Sequence, residues 1–212
     1  MAAIAVMVGM TGFVLLLSGC KPAREEVPGE APSEGATESK GFIGNKAPNF
    51  HGDFAVNGKP IKLSDLKGKV VLLDFWGVWC PPCVRSLPHL IELNAKYKSR
   101  GLEVIGVLDY NQERSEHYEF DKNTGKLTPI QHHTRQSQEA MIRNVVEYHR
   151  VDYLVMTLPD ELWAKVFRAY NIRAFPTVFL IDRAGNVRRI FEGTDESTIK
   201  TIDREIDKLL NE

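Results

Sequence analysis

Cys80 and Cys83 are two cysteines separated by Pro81 and Pro82, close enough to trade one bond between them. A thiolate attacks a disulfide sulfur, and a second thiol one helical turn on can displace what the first has captured. The surrounding residues favour that chemistry. Val70–Trp76 is almost continuously apolar, β-branched and aromatic, the pattern of a strand buried on both faces. A break follows at Gly77, and beyond the cysteines Val84, Leu87, Ile91 and Ala95 recur at helical spacing. Cys80 therefore falls at a helix N-terminus, where unpaired N–H groups and the helix dipole favour thiolate over thiol. Cys80 is expected to be the exposed nucleophile and Cys83, one turn inward, the resolving thiol.

Other uses of the pair are weaker. A zinc half-site needs two further ligands, yet the third cysteine is Cys20 and the histidines do not stand at zinc-finger spacing. A permanent structural disulfide has no use for a helix start. Pro81 and Pro82 each lack an N–H, leaving the Cys83 amide to stabilise a Cys80 thiolate. Moderate stabilisation implies a couple nearer ~−270 mV than the ~−120 mV of a strong oxidant. Asp74 lies on the buried strand with no basic neighbour in sequence, so its pKa should be raised; pairing with a lysine such as Lys69 is the alternative.

Asp74-Phe75-Trp76 followed by Trp79-Cys80-Pro81-Pro82-Cys83 resembles the active-site segment of thioredoxin-fold proteins. The lead-in Gly41–Asp65 makes the chain similar to the membrane-anchored TlpA/ResA-type thiol–disulfide oxidoreductases, a likeness covering most of Gly41–Glu212. The resemblance implies an α/β thioredoxin-like fold: a central mixed sheet with helices on both faces, an N-terminal hairpin extension and an insertion after the second core strand. It implies that Asp74 moves the proton of the resolving thiol. It makes Phe175-Pro176 a cis-proline pair facing the cysteines, and Trp79, Pro81, Pro82, Phe175 and Pro176 the substrate-binding surface. Ser86 departs from the acidic residue many relatives carry nearby. Gly77 stands where a peroxidase of the peroxiredoxin type has Thr or Ser.

By the same resemblance the activity is reduction of disulfides in cysteine-containing exported proteins, such as apocytochrome c in cytochrome c biogenesis or copper-site assembly proteins. A transmembrane thiol electron donor would restore the dithiol. No cofactor beyond the Cys80–Cys83 disulfide and no metal is implied. The alternatives are a disulfide-forming oxidant, or a non-enzymatic metal-delivery module using Cys80, Cys83 and a histidine of the insertion.

The remaining chain must position this site. The 212 residues are 43% hydrophobic and 26% charged, ordinary composition for one globular domain with some excess. A net charge of −1 gives no electrostatic case for nucleic acid. The first twenty residues are uncharged and mostly apolar, as in a signal-peptide core. Leu17-Ser18-Gly19-Cys20 resembles a bacterial lipobox, implying cleavage after residue 19 and a lipid on Cys20. The missing positive n-region is a departure from that pattern. Residues 20–40, with three prolines and five glutamates, read as a flexible linker. The domain, residues 41–212, would then be extracytoplasmic and membrane-tethered, on the periplasmic side in a cell with two membranes.

Within that domain Asn57-Gly58 signals a hairpin in Asn49–Leu63. The active-site helix is predicted over Pro81–Ser99, with Pro88 inside and Gly101 capping. Leu102–Leu108 reads as a strand parallel to the first. The polar stretch 112–137, the insertion, contains His117, His132 and His133 and a turn at Asn123-Thr124-Gly125. The pattern then predicts a helix over Gln138–Val151, a strand over Tyr153–Met156 and a helix over Asp160–Tyr170. A strand follows over Val178–Ile181, an antiparallel partner over Val187–Glu192 and a closing helix over Glu196–Leu210.

Overall fold

Val70–Trp76 does form a strand, β2, and every one of its residues is buried. Its side chains alternate between two hydrophobic clusters: Val70, Leu72 and Trp76 point into one, Val71, Leu73 and Phe75 into the other. A strand covered on both faces sits in the middle of a sheet. In the computed structural model, which describes residues 41–109 and 117–212, β2 pairs in parallel with β3 (Leu102–Leu108) and antiparallel with β7 (Thr177–Ile181). The expected signal segment, Cys20, the linker and residues 112–116 lie outside the described residues.

The sheet has six strands in the order β1-β6-β3-β2-β7-β8, with β1 at Phe54–Val56, β6 at Leu154–Thr157 and β8 at Val187–Glu192. It is mixed: β6, β3 and β2 run parallel, while β1, β7 and β8 pair antiparallel to their neighbours. Helix α1 (Pro81–Tyr97), α2 (Arg135–Tyr148) and α4 (Glu196–Asn211) bury Leu87, Leu90, Ile142, Val145, Ile202 and Ile206 on one face. The other face is covered by α3 (Asp160–Ala169) and the N-terminal segment, with Phe50, Leu63, Val166 and Tyr170 in its core. This is the thioredoxin-like arrangement with helices on both faces.

Helix α1 begins where expected. Cys80 is its N-cap, with Pro81 and Pro82 at the first two positions, where a missing N–H costs the helix nothing. Tyr97 ends it, and a 3-10 turn over Lys98–Arg100 leads to Gly101, whose φ of 102° closes the run.

Two local expectations are corrected, and a third is filled in. The Asn57-Gly58 turn is present, with Asn57 at φ 64° and its side-chain amide donating to the Val151 and Tyr153 carbonyls. The strand before it, however, pairs with β6, Phe54 opposite Thr157, and not with its own return segment, which makes one bridge, His51 to Lys62. The edge of β6 offers a longer run of backbone partners than the short return does. Helix α2 starts and ends three residues earlier than predicted. Thr134 caps it, its hydroxyl accepting from the Ser137 N–H at 3.1 Å and the Ser137 hydroxyl accepting from the Thr134 N–H at 2.9 Å. Its far end is set by Arg150 at φ 55°. The described part of 112–137 is a hairpin, β4 (His117–Asp121) and β5 (Lys126–Ile130), turning at Asn123–Gly125 as expected. It is not a bare surface loop: Phe120 is buried against Tyr148 of α2, ring centroids 5.4 Å apart.

Gly106 of β3 shows how tightly β2 is framed. A Cβ there would come within 2.8 Å of the Trp76 indole nitrogen. Gly106→Ala is expected to lower stability by about 1–3 kcal/mol through overpacking, read as a lower denaturant midpoint. An unchanged midpoint would show that Trp76 is free to yield.

Candidate active site

The site sits at the C-terminal end of β2, where the chain turns from sheet into α1. The Cys80 N–H donates to the Gly77 carbonyl at 3.1 Å, and the Val84 N–H to the Cys80 carbonyl at 3.1 Å. Gly77 is required here because a Cβ would lie 2.7 Å from the Trp79 ring, which folds back over it. Cys80 and Cys83 are joined as a disulfide. The Cys83 N–H points at the Cys80 Sγ, 3.3 Å away, the one amide the proline pair leaves in the first turn. Ser86 is buried and donates to the Cys83 carbonyl at 2.7 Å, a neutral link within the helix.

Cys83 is fully buried, as expected of an inward sulfur. Cys80 is not the freely exposed residue anticipated: it retains 4% exposure at the base of a cavity of about 450 Å³. Trp79, Pro81, Pro82 and Phe175 line that cavity, which brings four of the five anticipated substrate-binding residues to one place. The Trp79 and Phe175 rings meet edge to face at 5.4 Å and recess the sulfur. The Phe175-Pro176 bond is cis. Pro176 is buried just behind Phe175, its carbonyl accepting from the Gly193 N–H at 3.0 Å. From the same loop the Thr194 hydroxyl donates to the Pro82 carbonyl at 3.4 Å, tying the proline loop to the start of α1.

Asp74 lies in the middle of β2, opposite Gly106 on one side and Val178 on the other. Its parity along the strand aims it to the face where Cys80, Cys83 and Leu87 pack. It is completely buried, and neither carboxyl oxygen has a hydrogen-bond partner among the described residues. Desolvation pushes its pKa up from 3.8 to about 7. The lysine alternative does not hold, since Lys69 is exposed on the loop before the strand. Tyr153 is the acid's buried neighbour; burial, and then the Asp74 charge, holds its hydroxyl above its ordinary range.

Reasoning from sequence missed Gly193 and Thr194, and missed Phe167, Ile172 and Arg173 on the cavity wall. The available signal was the aromatic pair Trp163 and Phe167 at i, i+4, ending one turn before the proline loop. For the insertion histidines, the His117 and His133 rings meet edge to face with centroids 3.7 Å apart. Among the described residues no group of three or more His, Cys, Asp or Glu is gathered to hold a metal.

The chain is similar to known proteins in sequence and in fold. The Redoxin family model matches residues 42–206. The thiol-disulfide oxidoreductase ResA of Bacillus cereus is 34% identical over 152 residues, 72% of this chain and 70% of the relative. The Bacillus subtilis ResA is 32% identical over 71% of this chain and 68% of its own length. A thiol:disulfide interchange protein DsbE structure from Chlorobium tepidum superposes with a TM-score of 0.58 at 30% identity, covering 79% of this chain and 97% of that one. With a helix-capping cysteine pair on a thioredoxin-like sheet, and with these relatives, the chain belongs to the Redoxin family as a thiol–disulfide oxidoreductase of the ResA/TlpA type.

Proposed function

We propose that this chain works outside the cytoplasm, tethered through a lipid on Cys20, and reduces disulfides in exported proteins. The observation that carries the reading is the Cys80 sulfur itself, set at the mouth of α1 with the Cys83 N–H on it and an open cavity above it. The ResA and DsbE likenesses support exported proteins with cysteine pairs as the substrate class. Apocytochrome c and copper-site assembly proteins are the candidates within it. The tether is assigned to Cys20 on the resemblance of Leu17-Ser18-Gly19-Cys20 to a lipobox; among the described residues no helix is long and apolar enough to cross a membrane.

In the reducing direction the Cys80 thiolate attacks one sulfur of the substrate disulfide. A Cys80–substrate disulfide forms, and the other substrate sulfur leaves as a thiolate that takes a proton. Cys83 then loses its proton to the Asp74 carboxylate and attacks the Cys80 sulfur. The Cys80–Cys83 bond forms, the mixed disulfide breaks, and the second substrate sulfur leaves and is protonated. Two electrons pass from the dithiol to the substrate. A transmembrane dithiol donor returns two electrons and two protons for the next cycle. Trp79, Pro81, Pro82 and Phe175 hold the substrate segment across the sulfur, with Pro176 behind Phe175. A reductant is favoured over an oxidant because a single amide supports the Cys80 thiolate, which leaves the dithiol form less stabilised relative to the disulfide.

Two outcomes are expected. Cys83→Ser should accumulate a mixed disulfide with exported proteins, or with insulin in vitro, and Cys80→Ser should form none. Capture that survives loss of Cys80 would sink the assignment of the nucleophile. The second concerns Asp74. With a native pKa of about 7 against 3.8, the folded oxidised protein keeps a proton that the unfolded chain has lost between those values. Its contribution to stability is therefore fully present below about pH 4 and is lost as pH rises through 7. Between pH 5 and pH 8 the oxidised wild type should lose about 2.6 kcal/mol more stability than Asp74→Asn, at ~1.4 kcal/mol per pH unit up to the folded pKa. Parallel denaturation curves for the two proteins would contradict a raised pKa.

A further inference from the structure

The cavity over Cys80 has a wall that disulfide exchange itself does not require. Phe167 of α3 packs on Phe175 at 5.6 Å between centroids and on Trp163 at 3.8 Å. Behind it Phe167 also meets Phe75 of β2, edge on, at 5.8 Å. The aromatic row from Trp79 through Phe175 to Phe167 is thus half-exposed on the cavity side and backed by the buried sheet. Ile172 completes the apolar side, and Arg173 is the one charged residue among the described lining residues. A concave apolar surface with one polar group at its rim is the usual form of a side-chain binding site. Because the wall is held from behind, it is formed before any ligand arrives, which lowers the entropy lost on binding.

We infer that this cavity is a specificity subsite for a bulky apolar residue flanking the reacting cysteine of the substrate, with Arg173 favouring an acidic residue just beyond it. The inference rests on the reading that Cys80 exchanges with a polypeptide disulfide. The floor identifies the occupant: anything filling the cavity productively must bring a sulfur to Cys80, so it is a cysteine-bearing chain segment. The walls specify its neighbour, since an aromatic or large aliphatic side chain replaces water against Phe167, Phe175 and Ile172. Arg173, whose Nε donates to the Asn171 Oδ1 at 3.2 Å, is the charged group among the described lining residues and supplies the charge preference.

The test uses the full chain, reduced and freed of reductant, with symmetrical peptide disulfides of acetyl-Gly-X-Cys-X-Gly-amide. The second-order rate constant for X = Phe or Leu should exceed that for X = Gly by at least ~10-fold, the discrimination an apolar pocket supplies. In Phe167→Ala and in Ile172→Ala the Phe-to-Gly ratio should fall at least threefold. Being a ratio within one preparation, it is not moved by a general loss of folded protein. With Asp in place of both terminal glycines the Phe peptide should outrun its Lys counterpart at low salt, and Arg173→Glu should reverse that order. Equal rates for Phe and Gly peptides, or a preference surviving both wall variants, would overturn the subsite while leaving disulfide reduction intact. An acid preference that Arg173→Glu does not change would overturn the role of Arg173. Failure to reduce any peptide disulfide would overturn the subsite and the proposed function together.

Discussion

The Cys83 amide reaches the Cys80 sulfur only because a buried strand ends where a helix begins. β2 has no exposed residue along its length, so its position between β3 and β7 is held from both faces. Gly77 lets Trp79 fold back over the turn, and Cys80 then occupies the N-cap, where a helix has N–H groups to spare. The two prolines remove all but one of those groups from the immediate contest for the sulfur. What remains is a single N–H and the dipole of a helix running to Tyr97, both aimed at one atom.

Asp74 shows what the same burial costs. A carboxyl in the sheet centre with no partner destabilises the fold whenever it ionises, and a well-packed apolar residue would avoid that. An acid poised near neutral pH is suited to exchanging protons with thiols, which ordinary carboxylates at pH 7 are too weakly basic to do. The strain therefore sits where the proposed proton transfer needs it, on the sheet face shared with both sulfurs.

Local signals carried much of this architecture. The run Val70–Trp76, the glycine break and the helical spacing after Cys83 are contiguous, and β2 and α1 follow from them directly. The raised pKa of Asp74 was legible too, because an acid within a two-sided apolar strand has nowhere else to go. The cis bond at Pro176 rested on resemblance, since most X–Pro bonds are trans. What the sequence hid was non-local. β1 chose the edge of β6, about a hundred residues away, over the return segment of its own turn. The recessing of Cys80 comes from Trp79 meeting Phe175 across the site, and the cavity wall comes from α3. Helix α2 was displaced for a different reason: its capping pair is Thr134 and Ser137, inside a polar stretch read as insertion, without the Glu that marks most capping boxes.

Cys80, at the mouth of α1, should behave as a sulfur unlike a free thiol. Alkylation of the reduced Cys83→Ser protein by iodoacetamide, followed across pH, measures this on one sulfur without competition from its neighbour. The rate is expected to reach half its maximum clearly below pH ~8.5, the value for unperturbed cysteine. A half-maximum at or above that value would mean that neither the helix nor any remaining amide favours the thiolate, and would contradict this expectation.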